Sequence, residues 1–174
     1  MVFAFYFNFF YNFIEFFKNN LESCNNCTIK LSGRINTEVV EVWKCENTTV
    51  IINNKVKTLQ ADLSSNLHLK YEDKSHFNQV IWAGIRELKV SLGDLVHESG
   101  IEKVNREEIS DFKEDFDQFI VRSVKGKIME ELIVRLQNGF PTTEREASAF
   151  DAQKEKNDKL YEQHVRQLLT VIIF

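Results

Sequence analysis

The sequence predicts a mainly β chain: a short solenoid of parallel coils, each about 20 residues long, followed by a hairpin and a charged C-terminal helix. Two observations carry this. Cys24 to Lys44 (CNNCTIKLSGRINTEVVEVWK) set beneath Cys45 to Ser65 (CENTTVIINNKVKTLQADLSS) gives identities at Cys24/Cys45, Asn26/Asn47, Thr28/Thr49 and Thr37/Thr58. It also pairs Ile29 with Val50, Leu31 with Ile52, Arg34 with Lys55 and Ile35 with Val56. A period near 20 is that of a solenoid. Within each copy, apolar residues alternate (Ile29, Leu31; Val40, Val42; Val50, Ile52), the period of a strand with one buried face.

Composition agrees with one ordinary domain. The 174 residues are 43% hydrophobic and 28% charged, with a formal net charge of −4. A chain of this length buries roughly two thirds of its unfolded surface, enough for a core without disulfides or a structural metal. The mildly acidic balance gives no electrostatic footprint for nucleic acid. Three cysteines, an odd number, fit a reducing compartment.

The elements follow in order. Residues 1–17 hold eight of the fifteen phenylalanines and two of the four tyrosines. Asn8, Asn12 and Glu15 interrupt the run too early for a membrane span, and no basic residue precedes it as in a secretory signal. A poor signal or anchor, an aromatic element packed on the rest as a cap, and a misassigned start all fit, and the segment 1–20 is set apart without a function. Residues 21–138 form the solenoid with its closing hairpin. After the two clear copies, a third and degenerate one runs through Leu67-His68-Leu69-Lys70-Tyr71 and Gln79-Val80-Ile81-Trp82 to Leu88-Lys89-Val90-Ser91-Leu92-Gly93.

Gln118 to Leu136 reads as two alternating strands about a Lys125-Gly126 turn. Neither face is cleanly apolar, so a helix over 127–137 competes with the hairpin. In 139–174, Pro141 and the capping pair Thr143-x-x-Glu146 open a helix running to about Leu169.

Candidate chemistry is sparse. Cys24-x-x-Cys27 is half of a zinc or redox motif, but the equivalence of Cys24 and Cys45 in the repeat points instead to thiols stacked in the core, so no metal is expected. His68, His76, His97 and His164 show no triad-like spacing. Asn47-Thr48-Thr49 is a glycosylation sequon that recurs as a repeat position. Among exposed strand positions, Lys30, Glu41, Trp43, Lys44, Glu46, Lys55 and Lys57, regular stacking would build a lysine ladder from Lys44, Lys55 and Lys57 for an acidic partner. The same lysines also serve as edge protection against aggregation.

The residues Val42-Trp43-Lys44-Cys45-Glu46-Asn47-Thr48-Thr49-Val50, then Asn54-Lys55-Val56-Lys57-Thr58-Leu59 and Asp62, resemble the C-terminal domain of cyclase-associated protein. Asp117-Gln118-Phe119, Lys125-Gly126-Lys127 and Ile128 to Arg135 are similar to its closing hairpin. The resemblance implies a right-handed parallel β-helix that dimerises by exchanging that hairpin (here Phe119, Val121, Ile128 and Leu132). It further implies binding of ADP-loaded actin monomers, with Lys44, Glu46, Lys55 and Lys57 as the contact candidates. It implies no catalytic residue, no cofactor and no membrane, and a cytoplasmic, cytoskeleton-associated protein. Two departures count against full transfer: Asn53-Asn54 replaces the turn glycine, and the stretch between Gly93 and Phe116 is short, as if coils were missing. A scaffold that keeps the fold without the actin surface is the alternative. A GTPase activator like tubulin-binding cofactor C ranks lower, because Arg86 lacks the glutamine of that family's Gln-x-Arg motif.

Overall fold

A computed structural model describes residues 2–3, 19–109 and 111–172, in two compact units that divide between Glu131 and Leu132. In the first unit the strands are β1 (Val2–Phe3), β2 (Asn19–Glu22), β3 (Thr28–Leu31), β4 (Val39–Trp43), β5 (Glu46–Ile52) and β6 (Thr58–Asp62). They continue as β7 (Ser65–Tyr71), β8 (Gln79–Ala83), β9 (Arg86–Leu92), β10 (Leu95–Ser99), β11 (Phe119–Val124) and β12 (Lys127–Arg135), the last of which runs through the division. From β2 onward the chain alternates between two sheets. β2, β4, β6 and β8 pair in parallel in the first, and β3, β5, β7 and β9 in the second. This is the predicted solenoid of about three turns.

Why these residues stack is visible in their inward columns. Ile29, Val50, Leu69 and Val90 lie in one registered row of the second sheet, and Leu31, Ile52, Tyr71 and Leu92 in the next; all eight are buried. Opposite them, Leu21, Val42, Ala61 and Trp82 share a row, so the smallest side chain adjoins the largest and the volume is conserved.

The corner between the two sheets has its own rule. Ser23, Lys44, Leu63 and Gly84 have φ of 54°, 52°, 50° and 61°, and three residues later Asn26, Asn47, Asn66 and Glu87 have 53°, 48°, 46° and 58°. Left-handed backbone is costly for most residues and least so for Asn and Gly, which explains four of these eight identities, Gly84, Asn26, Asn47 and Asn66, and leaves Ser23, Lys44, Leu63 and Glu87 in a conformation their side chains disfavour. Between the two columns Cys24, Cys45, Ser64 and Ile85 point inward and are buried. The asparagines add an amide ladder: Asn47 Nδ2 donates to Asn26 Oδ1 at 3.1 Å, and Asn66 Nδ2 to Asn47 Oδ1 at 2.8 Å.

Two register details differ from the sequence alignment. Val39, not Thr37, pairs with Thr58, because a turn closed by Glu38 N to Ile35 O takes up two residues before β4. The spacing between coils is therefore not constant; Asn26 and Asn47 are 21 residues apart, Asn47 and Asn66 only 19. The third copy also ends sooner than expected: β7 and β8 complete it, and Leu88 to Leu92 already belong to β9 of a further half-coil.

Both sheets finish with a reversed strand. β10 turns back antiparallel on β9, and β11 antiparallel on β8. β11 and β12 are neighbours in the sheet and make the hairpin foreseen from sequence, with positive φ at both Lys125 and Gly126 (51° and 79°), as a type I′ turn requires. The rival helix over 127–137 does not form. Of the aromatic N-terminal segment, Val2–Phe3 pairs in parallel with Leu21 and Glu22, and the expectations for residues 4–18 lie outside the described residues.

In the second unit, Ile133 to Arg135 of β12 pair antiparallel with β13 (Pro141–Thr143), which leads into α1 (Glu144–Ile172). Pro141 thus sits in a strand just ahead of the helix it was expected to open. The capping pair holds as read: Glu146 N donates to Thr143 Oγ1, and Thr143 Oγ1 to Glu146 Oε2, each at 3.4 Å. Among the described residues no helix is long and apolar enough to cross a membrane.

Candidate interaction faces

The three cysteines are free, buried thiols. Cys24 and Cys45 occupy the same inward corner position on successive coils, with Cys45 Sγ 3.5 Å from both Leu21 O and Trp43 O. A hydrogen bond shared with Cys45, and then burial, push the Cys24 thiol far above its ordinary value, so it is a protonated packing group rather than a nucleophile. Cys27 Sγ contacts Thr48 Oγ1, which donates to Cys24 O at 2.7 Å. Among the described residues no group of three His, Cys, Asp or Glu has the arrangement of a metal site.

The lysine ladder does not assemble as expected. Lys44 and Glu46 are exposed at the corner where the chain passes from β4 to β5, with Lys44 Nζ 4.3 Å from the Trp43 ring centroid. Lys55 and Lys57 are exposed at the other corner, between β5 and β6. The seven residues of β5 separate the two corners, roughly 20 Å of extended backbone. Sequence shows that these residues sit in turns, but not that alternate turns lie on opposite edges of the coil.

A different cationic surface forms instead. On the outward face of the second sheet, registered pairing brings His68 beside Lys89, with Lys70 two residues along β7. His68 Nε2 lies 2.8 Å from Ser91 Oγ. Burial, then the charges of Lys89 and Lys70, hold the imidazole below its ordinary range. Lys30 extends the face on β3, tied to Glu72 at 3.2 Å. Lys55 and Lys57 lie at the corner past the end of β5, and Lys44 and Glu46 at the corner where β5 begins, so the four contact candidates sit at the two ends of this face and none is in the His68–Lys89 row.

The hairpin candidates divide as well. Phe119 and Val121 are buried against their own chain, and Phe119 stacks on Trp82 with ring centroids 4.6 Å apart. Ile128 and Leu132 on β12 are half-buried. Between them in the alternation, Glu130 explains why this face looked impure in sequence. Its Oε1 accepts from Trp82 Nε1 and from Ser99 Oγ, both at 2.6 Å, and its Oε2 lies 3.3 Å from His97 Nε2. This cluster had no sequence signal, since its four members come from three distant strands. The asparagine ladder had one: Asn26, Asn47 and Asn66 each precede the second residue of an outward-inward strand pattern, but a fixed 21-residue offset passes over Asn66.

Compared with protein families, curated proteins and solved structures, the chain finds no match in any of the three.

Proposed function

We propose that the chain is a non-enzymatic protein-binding solenoid of the cyclase-associated type, which takes an actin monomer on the cationic face of the second sheet and works in the cytoplasm on the cytoskeleton. The observation that supports it is the cluster of Lys70, Lys89 and His68 on registered strands, with Lys55 and Lys57 at the adjoining corner. Fixed on a rigid sheet, such charges steer an acidic partner and hold its orientation at little entropic cost. A binder with higher affinity for the nucleotide-open form of actin would shift its population toward that form and speed exchange without chemistry of its own. Dimerisation through the β11–β12 hairpin belongs to the same proposal.

Sedimentation velocity of the protein with ADP-actin monomers tests it. A complex heavier than either component is expected, weakened by about tenfold or more in Lys70→Glu/Lys89→Glu and unchanged in Lys44→Glu. If actin and protein sediment independently, the scaffold reading replaces this one. That reading is favoured by Phe150 and Tyr161, exposed at 66% and 73% on α1, where a different partner would dock.

A further inference from the structure

The outward face of the first sheet carries a hollow that the proposed function leaves unused. Side chains alternate along a strand, so burial of Leu21, Val40, Val42, Leu59 and Ala61 turns Asn20, Glu41, Trp43, Gln60 and Asp62 outward. Registered pairing sets Asn20, Glu41 and Gln60 in one row across β2, β4 and β6, and Trp43 beside Asp62 in the next. These residues line a depression of about 250 Å³.

Its polar atoms are mismatched in one direction. Asn20 Oδ1 and Asp62 Oδ1 are both buried and make no hydrogen bond of good geometry, with only the Ala83 backbone N–H facing the Asp62 carboxyl besides Gln60. The other oxygen of Asp62 accepts from Gln60 Nε2 at 2.8 Å. Burial, joined by the charge of Glu41, outweighs the bonds from Gln60 and the Ala83 backbone and raises the Asp62 carboxyl above its ordinary range. A buried acceptor without a donor is destabilising, so the hollow holds two groups that a donor-rich ligand would satisfy. At its rim the Trp43 indole is 37% exposed, and the ammonium of Lys44 already lies over the ring. That contact is what a cation-binding ring looks like when the cation comes from its own chain.

A guanidinium matches this set better than an ammonium. It is planar, stacks on an indole, and carries five N–H donors in a fork that can reach two separate oxygens, whereas an ammonium is a compact, strongly hydrated point charge. We propose that the hollow binds an arginine side chain of a partner protein, its guanidinium stacked on Trp43 and donating to Asp62 and Asn20. The site lies on the opposite sheet from the cationic face, so it stands or falls independently of actin binding.

The test follows the Trp43 indole N–H resonance of the intact chain by NMR, assigned by its loss in Trp43→Phe, during titration with N-acetyl-arginine amide, its lysine counterpart and its uncharged citrulline counterpart. A saturable shift is expected with the arginine compound, about fivefold weaker with lysine and absent with citrulline. Asp62→Asn should weaken arginine binding about fivefold or more while leaving the buried Trp82 resonance in place, which shows the fold intact. Lys44→Ala should strengthen it about twofold by vacating the ring. No saturable shift at tens of millimolar arginine, equal shifts with citrulline, or undiminished binding in Asp62→Asn would overturn the proposal.

Discussion

Glu130 shows how much one side chain can hold. Its carboxylate gathers an indole N–H, a hydroxyl and an imidazole from strands far apart in the chain, with Trp82 and Ser99 nearly excluded from solvent. Glu130→Leu strands two buried donors and should lower stability by about 3 kcal/mol, whereas Glu130→Gln keeps one acceptor and should cost about 1 kcal/mol; urea unfolding measures both. Tyr71 presents the opposite case. Its hydroxyl is buried with no hydrogen-bond partner, and burial alone drives its acidity down. Tyr71→Phe should therefore raise the urea midpoint, by roughly 1 kcal/mol of stability, and an unchanged or lower midpoint would mean the hydroxyl finds a partner after all. Gly100 is held at φ 137° and ψ 168°, a region closed to side chains, and a Cβ there would meet Glu87 N at 2.8 Å. Gly100→Ala should cost about 1–3 kcal/mol, read in the same unfolding experiment.

Single elements differ in how openly their sequences declare them. The strands of the first two coils were legible because alternation, buried thiols and the Asn-x-Thr positions all repeat together. The bend at Ile35 to Glu38 was not, since a two-residue difference inside a turn leaves both strands' patterns intact while moving their register. Lys125-Gly126 declared a turn of one definite type, yet the strands beside it looked ambiguous because Glu130 sits where an apolar residue belongs. Its reason lies in Trp82 and Ser99, which no local pattern can reveal. The helix start was fully written in Thr143 and Glu146. Thr143→Ala should cost α1 about 1 kcal/mol and fray its first turn, seen as faster amide exchange at residues 144–147 with the solenoid's exchange unaltered.

For the molecule as a whole, what sequence could not supply was the assignment of turns to edges. Sequence joined Lys44 to Lys55 and Lys57, which lie at opposite ends of β5, and overlooked Lys70 and Lys89. The cationic face leaves a signature on global stability. Folding favours neutral His68, while the unfolded ring titrates near its ordinary value of 6.5. As pH falls below that value the unfolded chain takes up more protons than the folded one, so stability present above it is progressively lost toward the folded value. His68→Gln should flatten this part of the stability-versus-pH curve; parallel curves for the two proteins would show that the imidazole is not the group responsible.

The reversed strands β10 and β11 bear on how such a molecule can change in length over evolutionary time. Each occupies the edge on which a further parallel coil would have to grow, in both sheets at once. A duplicated coil appended after β9 would meet no parallel template, whereas one inserted between Cys24 and Ile85 would find matching left-handed corners, an asparagine to extend the amide ladder, and an inward thiol- or serine-sized neighbour on either side. Relatives of different length should therefore differ in the number of middle coils and share the same two ends.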